Sequence, residues 1–160
     1  MRVLLAAFGA LALAACETTK TQGGEAGPVS ITLERTACFG ACPIYSVSID
    51  GAGAVTYTGQ RFVSVIGERR GQASRADVEA LLQAFDAAQF QSLQSEYRAH
   101  ITDQPSQIIT LTRNGATKRV VDYAGTAAGM PEAVRRLEQE IDRVANTAQW
   151  VGRGEAEGDK

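Results

Sequence analysis

Three cysteines carry most of the chemistry this sequence offers, and their settings divide them. Cys16 closes Leu13-Ala14-Ala15-Cys16 behind an apolar run that begins after Met1-Arg2. One positive residue, a short apolar region from Val3 to Leu13 and small residues before a cysteine make a bacterial lipoprotein signal with its lipobox. The run falls well short of the about 20 residues a membrane span needs. The Cys16 thiol is therefore expected to carry a diacylglycerol, with cleavage just ahead of it. Each buried CH₂ contributes roughly 0.8 kcal/mol, so two or three acyl chains hold a protein to a bilayer essentially permanently.

Cys38 and Cys42 remain as an even pair in an oxidising compartment, within Cys38-Phe39-Gly40-Ala41-Cys42-Pro43. On a straight strand their Cα atoms would lie about 13 Å apart at about 3.3 Å per residue. A disulfide needs roughly 4.4–6.8 Å, so the segment must turn. Gly40 permits positive φ, and Pro43 fixes the exit into the next strand. The first reading is a small disulfide stapling a tight loop or bulge between two strands. Closing so short a loop is worth only about 2 kcal/mol on the chain-entropy model. Two sharper readings stand beside it: a strained, redox-active surface dithiol, and two thiolates holding a soft ion such as Cu(I). The Cys-x-x-x-Cys-Pro string also resembles that of Sco-type copper chaperones. Those proteins follow it with a helix and supply a distant histidine, whereas a Tyr-Val-Ile strand follows here.

The remaining polar residues converge less. His100 is the sole histidine, so neither a Ser-His-Asp set nor a histidine-rich metal site follows from spacing. A nucleophile pair of Cys38 with His100 has no further support. Asp103, ahead of Gln104-Pro105, reads as turn chemistry. A carboxylate role on wall polymers for Glu96, Asp103 or Asp122 has no spacing that pairs them. Tyr45, Tyr57, Tyr97 and Tyr123 read as core and rim, with a stacking platform for sugar or peptide as the lesser reading. Arg69-Arg70 and Lys118-Arg119 are solvated pairs near turns, and Gly59, Gly67 and Gly71 match no phosphate-binding spacing. No cofactor and no protein-bound metal is expected on the first reading.

A formal net charge of −2, with 44% hydrophobic and 21% charged residues, is ordinary for a soluble domain and lacks the basic excess nucleic acid demands. Residues 1–15 are read as signal peptide, 16–28 as lipidated tether, 29–151 as one domain and 152–160 as a disordered tail. Glu17, in the place where Asp retains lipoproteins in the inner membrane, is a weaker form of that signal. The expected place is a periplasm-facing envelope lipoprotein, the outer membrane before the inner.

Alternation predicts strands over Val29–Leu33, Ile44–Ile49, Ala54–Thr58 and Phe62–Ile66, with Asp50-Gly51-Ala52-Gly53 turning the second into the third. Ser74-Arg75-Ala76-Asp77 begins a helix whose apolar face is Val78, Leu81, Leu82 and Phe85. Phe90 to Tyr97 suggests a short helical turn, and His100 to Pro105 a loop. Asn114-Gly115 joins Ile108–Arg113 to Ala116–Tyr123 and sets Arg113 against Ala116, Leu111 against Lys118 and Ile109 against Val120. Pro131 starts a last helix striped by Val134, Leu137, Ile141 and Val144, and Trp150-Val151 closes the core. The order is four strands, helix, two-strand hairpin, helix. It predicts an α+β two-layer sandwich, mainly antiparallel, with both helices on one face.

The stretch Arg35-Thr36-Ala37-Cys38-Phe39-Gly40-Ala41-Cys42-Pro43-Ile44-Tyr45-Ser46-Val47, followed by Val55-Thr56-Tyr57-Thr58-Gly59, resembles the start of the bacterial domain-of-unknown-function 6438 family. Tyr97, Asp103 with Pro105, Gly115 with Lys118, Tyr123 and Ile141-Asp142 also fall where that family would place them. The resemblance runs over most of Ile31 to Val144. It implies a secreted or lipid-anchored single domain with no assigned activity. The functional expectation is a lipid-anchored, non-enzymatic module that binds an envelope protein or cell-wall partner. Arg35, Tyr45 and Asp103 are its candidate functional surface. The alternative is a periplasmic thiol redox or copper-handling protein working through Cys38 and Cys42.

Overall fold

The structure, a computed structural model, describes residues 28–152. The lipobox, Cys16, Glu17, all of the tether but Pro28, and the tail from residue 153 lie outside the described residues. One seven-stranded sheet runs in the order β4-β3-β2-β1-β6-β7-β5. β1 (Ser30–Arg35), β2 (Ile44–Asp50), β3 (Ala54–Arg61) and β4 (Gly67–Gln72) form an antiparallel meander. β6 (Ser106–Arg113) and β7 (Ala116–Tyr123) form the hairpin beside β1, and β5 (Glu96–Arg98) joins the far edge parallel to β7. Helices α1 (Arg75–Ala87), α2 (Glu132–Ala145) and the single turn α3 (Ala148–Val151) complete an α+β fold.

Period-two patterning decides which face is covered. Ile31, Leu33, Val47, Ile49, Val55, Tyr57, Ile109, Leu111 and Val120 point to one side and pack with Val78, Leu81, Phe85, Val134, Leu137 and Ile141 in a single core. Both long helices therefore lie on that face. The other face carries Thr32, Ser46, Ser48, Thr56, Thr58 and Thr110, all partly exposed. The turns obey local chemistry. The Asp50 carboxylate accepts the N–H groups of Ala52 (2.9 Å) and Ala54 (2.8 Å). Asn114 and Gly115, both at positive φ, set the hairpin register at the three pairs the two-residue turn requires. Ser74 caps α1, its hydroxyl oxygen accepting the Asp77 N–H at 3.1 Å.

Two elements depart from the sequence expectation. The fourth strand is Gly67–Gln72, not Phe62–Ile66. Phe62 takes a positive φ, and the N–H groups of Ser64 and Val65 go to the carbonyls of Val151 (3.1 Å) and Trp150 (2.9 Å). The apolar alternation there docks a loop onto α3 instead of pairing with β3. β4 lacks apolar side chains because Trp150 fills the space over it: a Cβ at Gly71 would lie 3.1 Å from the indole. Its Glu68, Arg69 and Arg70 are exposed, the charge pattern that keeps a free edge from pairing. The second departure is the region read as a helical turn. It holds a 3₁₀ turn at Phe90–Ser92 and then β5, a parallel strand of three residues in which only Tyr97 is buried. The sheet is therefore mixed, and the arrangement is not simply four strands, helix, hairpin and helix.

Candidate functional site

Cross-strand register brings five polar residues and one glycine into line at one end of the covered face. Gly59, Tyr45, Arg35, Gln107, Asp122 and Tyr97 sit directly opposite one another in sequence across β3, β2, β1, β6, β7 and β5. Residues opposite each other in a sheet share a face. Helix α2 lies over this row and presents Glu138 and Asp142, one turn apart.

Asp142 is the hub. Its Oδ2 accepts Nη2 (2.7 Å) and Nε (3.2 Å) of Arg35, and its Oδ1 accepts the hydroxyls of Tyr45 (2.7 Å) and Thr147 (2.7 Å). Arg35 Nε also reaches the Tyr45 oxygen at 2.9 Å. Burial disfavours the charge on Arg35, but Asp142 and Tyr45 outweigh it and raise its pKa above the ordinary arginine value. Burial first, and then the negative Asp142, push the Tyr45 phenol well above its usual range. Tyr45 is thus a fixed proton donor, unsuited to act as a base.

Two further carboxyl groups are buried more deeply. Asp122 is 1% exposed and Glu138 4%. Asp122 Oδ1 accepts the Gly125 N–H at 2.6 Å. That approach needs glycine, since a Cβ at Gly125 would lie 2.8 Å from the same oxygen and 2.9 Å from Met130 Sδ. Burial, followed by the charge on Asp122, raises the Glu138 pKa to about 8, with Arg35 pulling the other way. Glu138 is therefore neutral over most of the physiological range. Its Oε1 has no hydrogen-bond partner among the described residues.

The openings near this row are shallow. A groove of about 320 Å³ touches Arg35 and Tyr45 beside Glu34, Ser46 and Gln60. Another of about 470 Å³ touches Asp142 and Thr147 from the α3 side. Neither is lined by Asp122 or Glu138. A hollow of about 580 Å³ at the opposite end of the sheet, between Phe90 and the β6–β7 turn, holds the Asp86–Arg113 ion pair at 2.9 Å.

Above the polar row, Cys38 and Cys42 form a disulfide with Cα atoms 5.8 Å apart. The loop they close is pinned to the β5–β6 loop. Phe39 N–H donates to the Asp103 carbonyl (3.2 Å), Thr36 N–H to Ser106 O (3.0 Å) and Ser106 N–H to Thr36 Oγ1 (2.8 Å). Asp103 itself has positive φ, and its carboxylate accepts the Thr102 hydroxyl at 2.8 Å. It lies exposed in this loop while Arg35 and Tyr45 meet on Asp142 below. Among the described residues, the large apolar side chains left exposed, Phe39 (88%), Phe62, Ile66 and Ile101, all stand on loops at this same end.

The family model described as a domain of unknown function, DUF6438, matches residues 29–145. The chain belongs to that family. No curated protein matches it. The DUF6438 match spans β1 through α2 and stops before α3, so Thr147 and Trp150 complete the site and the core from beyond it.

Within the DUF6438 domain the other candidates are dispersed. His100 is exposed, and Glu96 pairs with Arg98 at 2.6 Å on the surface. Tyr57 packs between Tyr45 and Trp150, with centroids 5.6 and 5.0 Å away. Tyr123 lies under Arg98 at 4.5 Å, and the Tyr97 oxygen accepts the Gln94 N–H at 3.3 Å. Among the described residues no three His, Cys, Asp or Glu side chains are placed to hold a metal, and no helix is long and apolar enough to cross a membrane. Sequence reasoning missed Gln107, Glu138 and Thr147, and met Asp142 only through the family resemblance. The available signal was Glu138 itself, a carboxylate beside Leu137 inside the apolar stripe of α2.

Proposed function

We propose that this chain is a lipid-anchored, periplasm-facing envelope protein that works as a non-enzymatic binding module, with Cys16 carrying the lipid. One observation carries the binding role: Phe39, Phe62, Ile66 and Ile101 are exposed together at one end of the sheet. The polar row beneath supports the non-enzymatic part. Asp142 spends both oxygens on neighbours, Tyr45 holds its proton, and Asp122 and Glu138 line neither nearby groove. The row fixes the loops, and the loops do the binding. The Cys38–Cys42 bridge then acts as a staple for Phe39.

Two measurements test this. Incorporation of labelled fatty acid should be lost in Cys16→Ser; a chain that never takes up label refutes the anchor. Photo-crosslinking side chains at Phe39 and Ile101 should give more adducts in cells than the same groups at Thr32 and Thr56 on the open face. Equal labelling at both places refutes a binding end.

A second reading, thiol redox or copper handling through Cys38 and Cys42, draws on the half-exposed position of the pair in a surface loop. It requires a bridge opened by mild reductant or a reduced chain that retains Cu(I). A bridge that resists mild reductant, in a chain that takes up no copper, excludes it.

A further inference from the structure

We infer that the apolar loop end docks on the bilayer interface of the membrane that holds the anchor, so that the domain lies folded back on its own tether. The inference rests on the lipid-anchor reading above and adds the surface that the binding end contacts.

Form comes first. Phe39, Phe62 with Ile66, and Ile101 stand on three separate loops, between β1 and β2, β3 and β4, and β5 and β6. They project as separate knobs. A protein partner would have to offer a matched pocket for each, whereas a bilayer interface asks only for apolar groups at one level. Those loops, with the β7–α2 connection beside them, span residues 36–43, 62–66, 99–105 and 124–131. They contain no Lys or Arg, and Asp103 is their only carboxylate. Charge is what membrane contact penalises most. Just behind them Arg61 stacks over Phe62 at 4.9 Å and Arg98 over Tyr123 at 4.5 Å. Aromatic rings and long basic side chains are the residues that settle at headgroup level.

Rigidity comes second. The Cys38–Cys42 bridge and the Phe39 N–H bond to Asp103 hold the Phe39 and Ile101 loops together before any contact is made. Little side-chain or loop freedom is then lost on docking.

Length comes third. β1 begins at the end of the sheet opposite these loops, so a short tether would hold the wrong end to the membrane. Residues 17–28 can span about 40 Å when extended, at up to about 3.6 Å per residue. The six residues of β1 cover about 20 Å at roughly 3.3 Å each. The tether is long enough to run back past the domain. Once the anchor is in place, docking is intramolecular and needs only weak intrinsic affinity.

The test uses the full lipidated chain in vesicles of phosphatidylethanolamine and phosphatidylglycerol, with acylation of Cys16 checked by mass. The parent has one tryptophan, the buried Trp150, and Phe39→Trp adds a reporter at an 88% exposed position. Lipids brominated near the headgroup should quench the introduced indole and leave the parent's emission unchanged. Deleting residues 18–24 leaves five tether residues, about 17 Å of reach by the same spacing, and should abolish the quenching. An unquenched reporter on an acylated chain overturns the docking and points the loops at a protein. Quenching that survives the deletion overturns the folded-back arrangement, and an unacylated Cys16 overturns it together with the anchor reading.

Discussion

Glu138 pays for its place in the core with a proton. Its pKa of about 8 in the folded chain stands against 4.5 as the ordinary value, raised by burial and by Asp122. The native state keeps a proton that the unfolded chain releases above that ordinary value. Stability from this group is therefore full below about pH 4.5 and is lost as pH rises toward about 8, by about 1.4 kcal/mol per pH unit. Urea unfolding at about pH 5 and about pH 8 should show the decline, and Glu138→Gln should flatten it. An unchanged slope in that variant would place the titration elsewhere. Asp142 matters as the counter-ion of Arg35. Asp142→Ala leaves Arg35 without its counter-ion; the pair retains 23% and 20% side-chain exposure. The expected loss is therefore about 2–3 kcal/mol, the low end for such a pair, read as a fall in urea midpoint. Tyr45→Phe should cost less, about 1 kcal/mol, since it removes one hydroxyl and no charge. At this scale the sequence was half legible. Arg35 and Tyr45 stand out by type, but their partner lies 107 residues along the chain from Arg35, and no local pattern reports such a pairing.

Elements were legible where chemistry is local. Asn114-Gly115 admits only a two-residue turn, and with it every pair of the β6–β7 ladder is fixed. β4 and β5 were hidden because neither carries a periodic apolar signal. One is held by pairing and by the indole of Trp150, the other by the single buried Tyr97. Phe62 to Ile66 misleads for the converse reason, as Val63 and Val65 pack on the core from a loop. The Cys38–Cys42 loop is an element of its own. Cys38→Ser with Cys42→Ser should lower stability by about 2 kcal/mol, in keeping with so short a closed loop, and leave far-ultraviolet dichroism unchanged. A double variant that fails to fold would make the bridge a determinant of the fold instead of a staple.

For the whole molecule, the boundary of the family match and the boundary of the core differ. The match ends at residue 145, yet α3 brings Trp150 over Tyr57 and β4, and Thr147 onto Asp142. A chain ending at Ala145 should unfold at a much lower temperature than one ending at Gly152. The single change Trp150→Ala accounts for about 3–5 kcal/mol of that difference. Equal melting of the two chains would make α3 dispensable. Composition and patterning sufficed for the α+β class. They could not reveal the polar row, which exists only once six strands are in register.

The two sheet edges have a consequence for how such molecules coexist. Proteins tied to one surface meet their copies at a local concentration far above that of free chains. An open strand edge under those conditions is an invitation to run one sheet into the next. Here one edge shows Glu68, Arg69 and Arg70 and the other is three residues long. On the lipid-anchor reading proposed above, a densely populated membrane would carry this fold copy beside copy without the sheets fusing into a continuous ribbon.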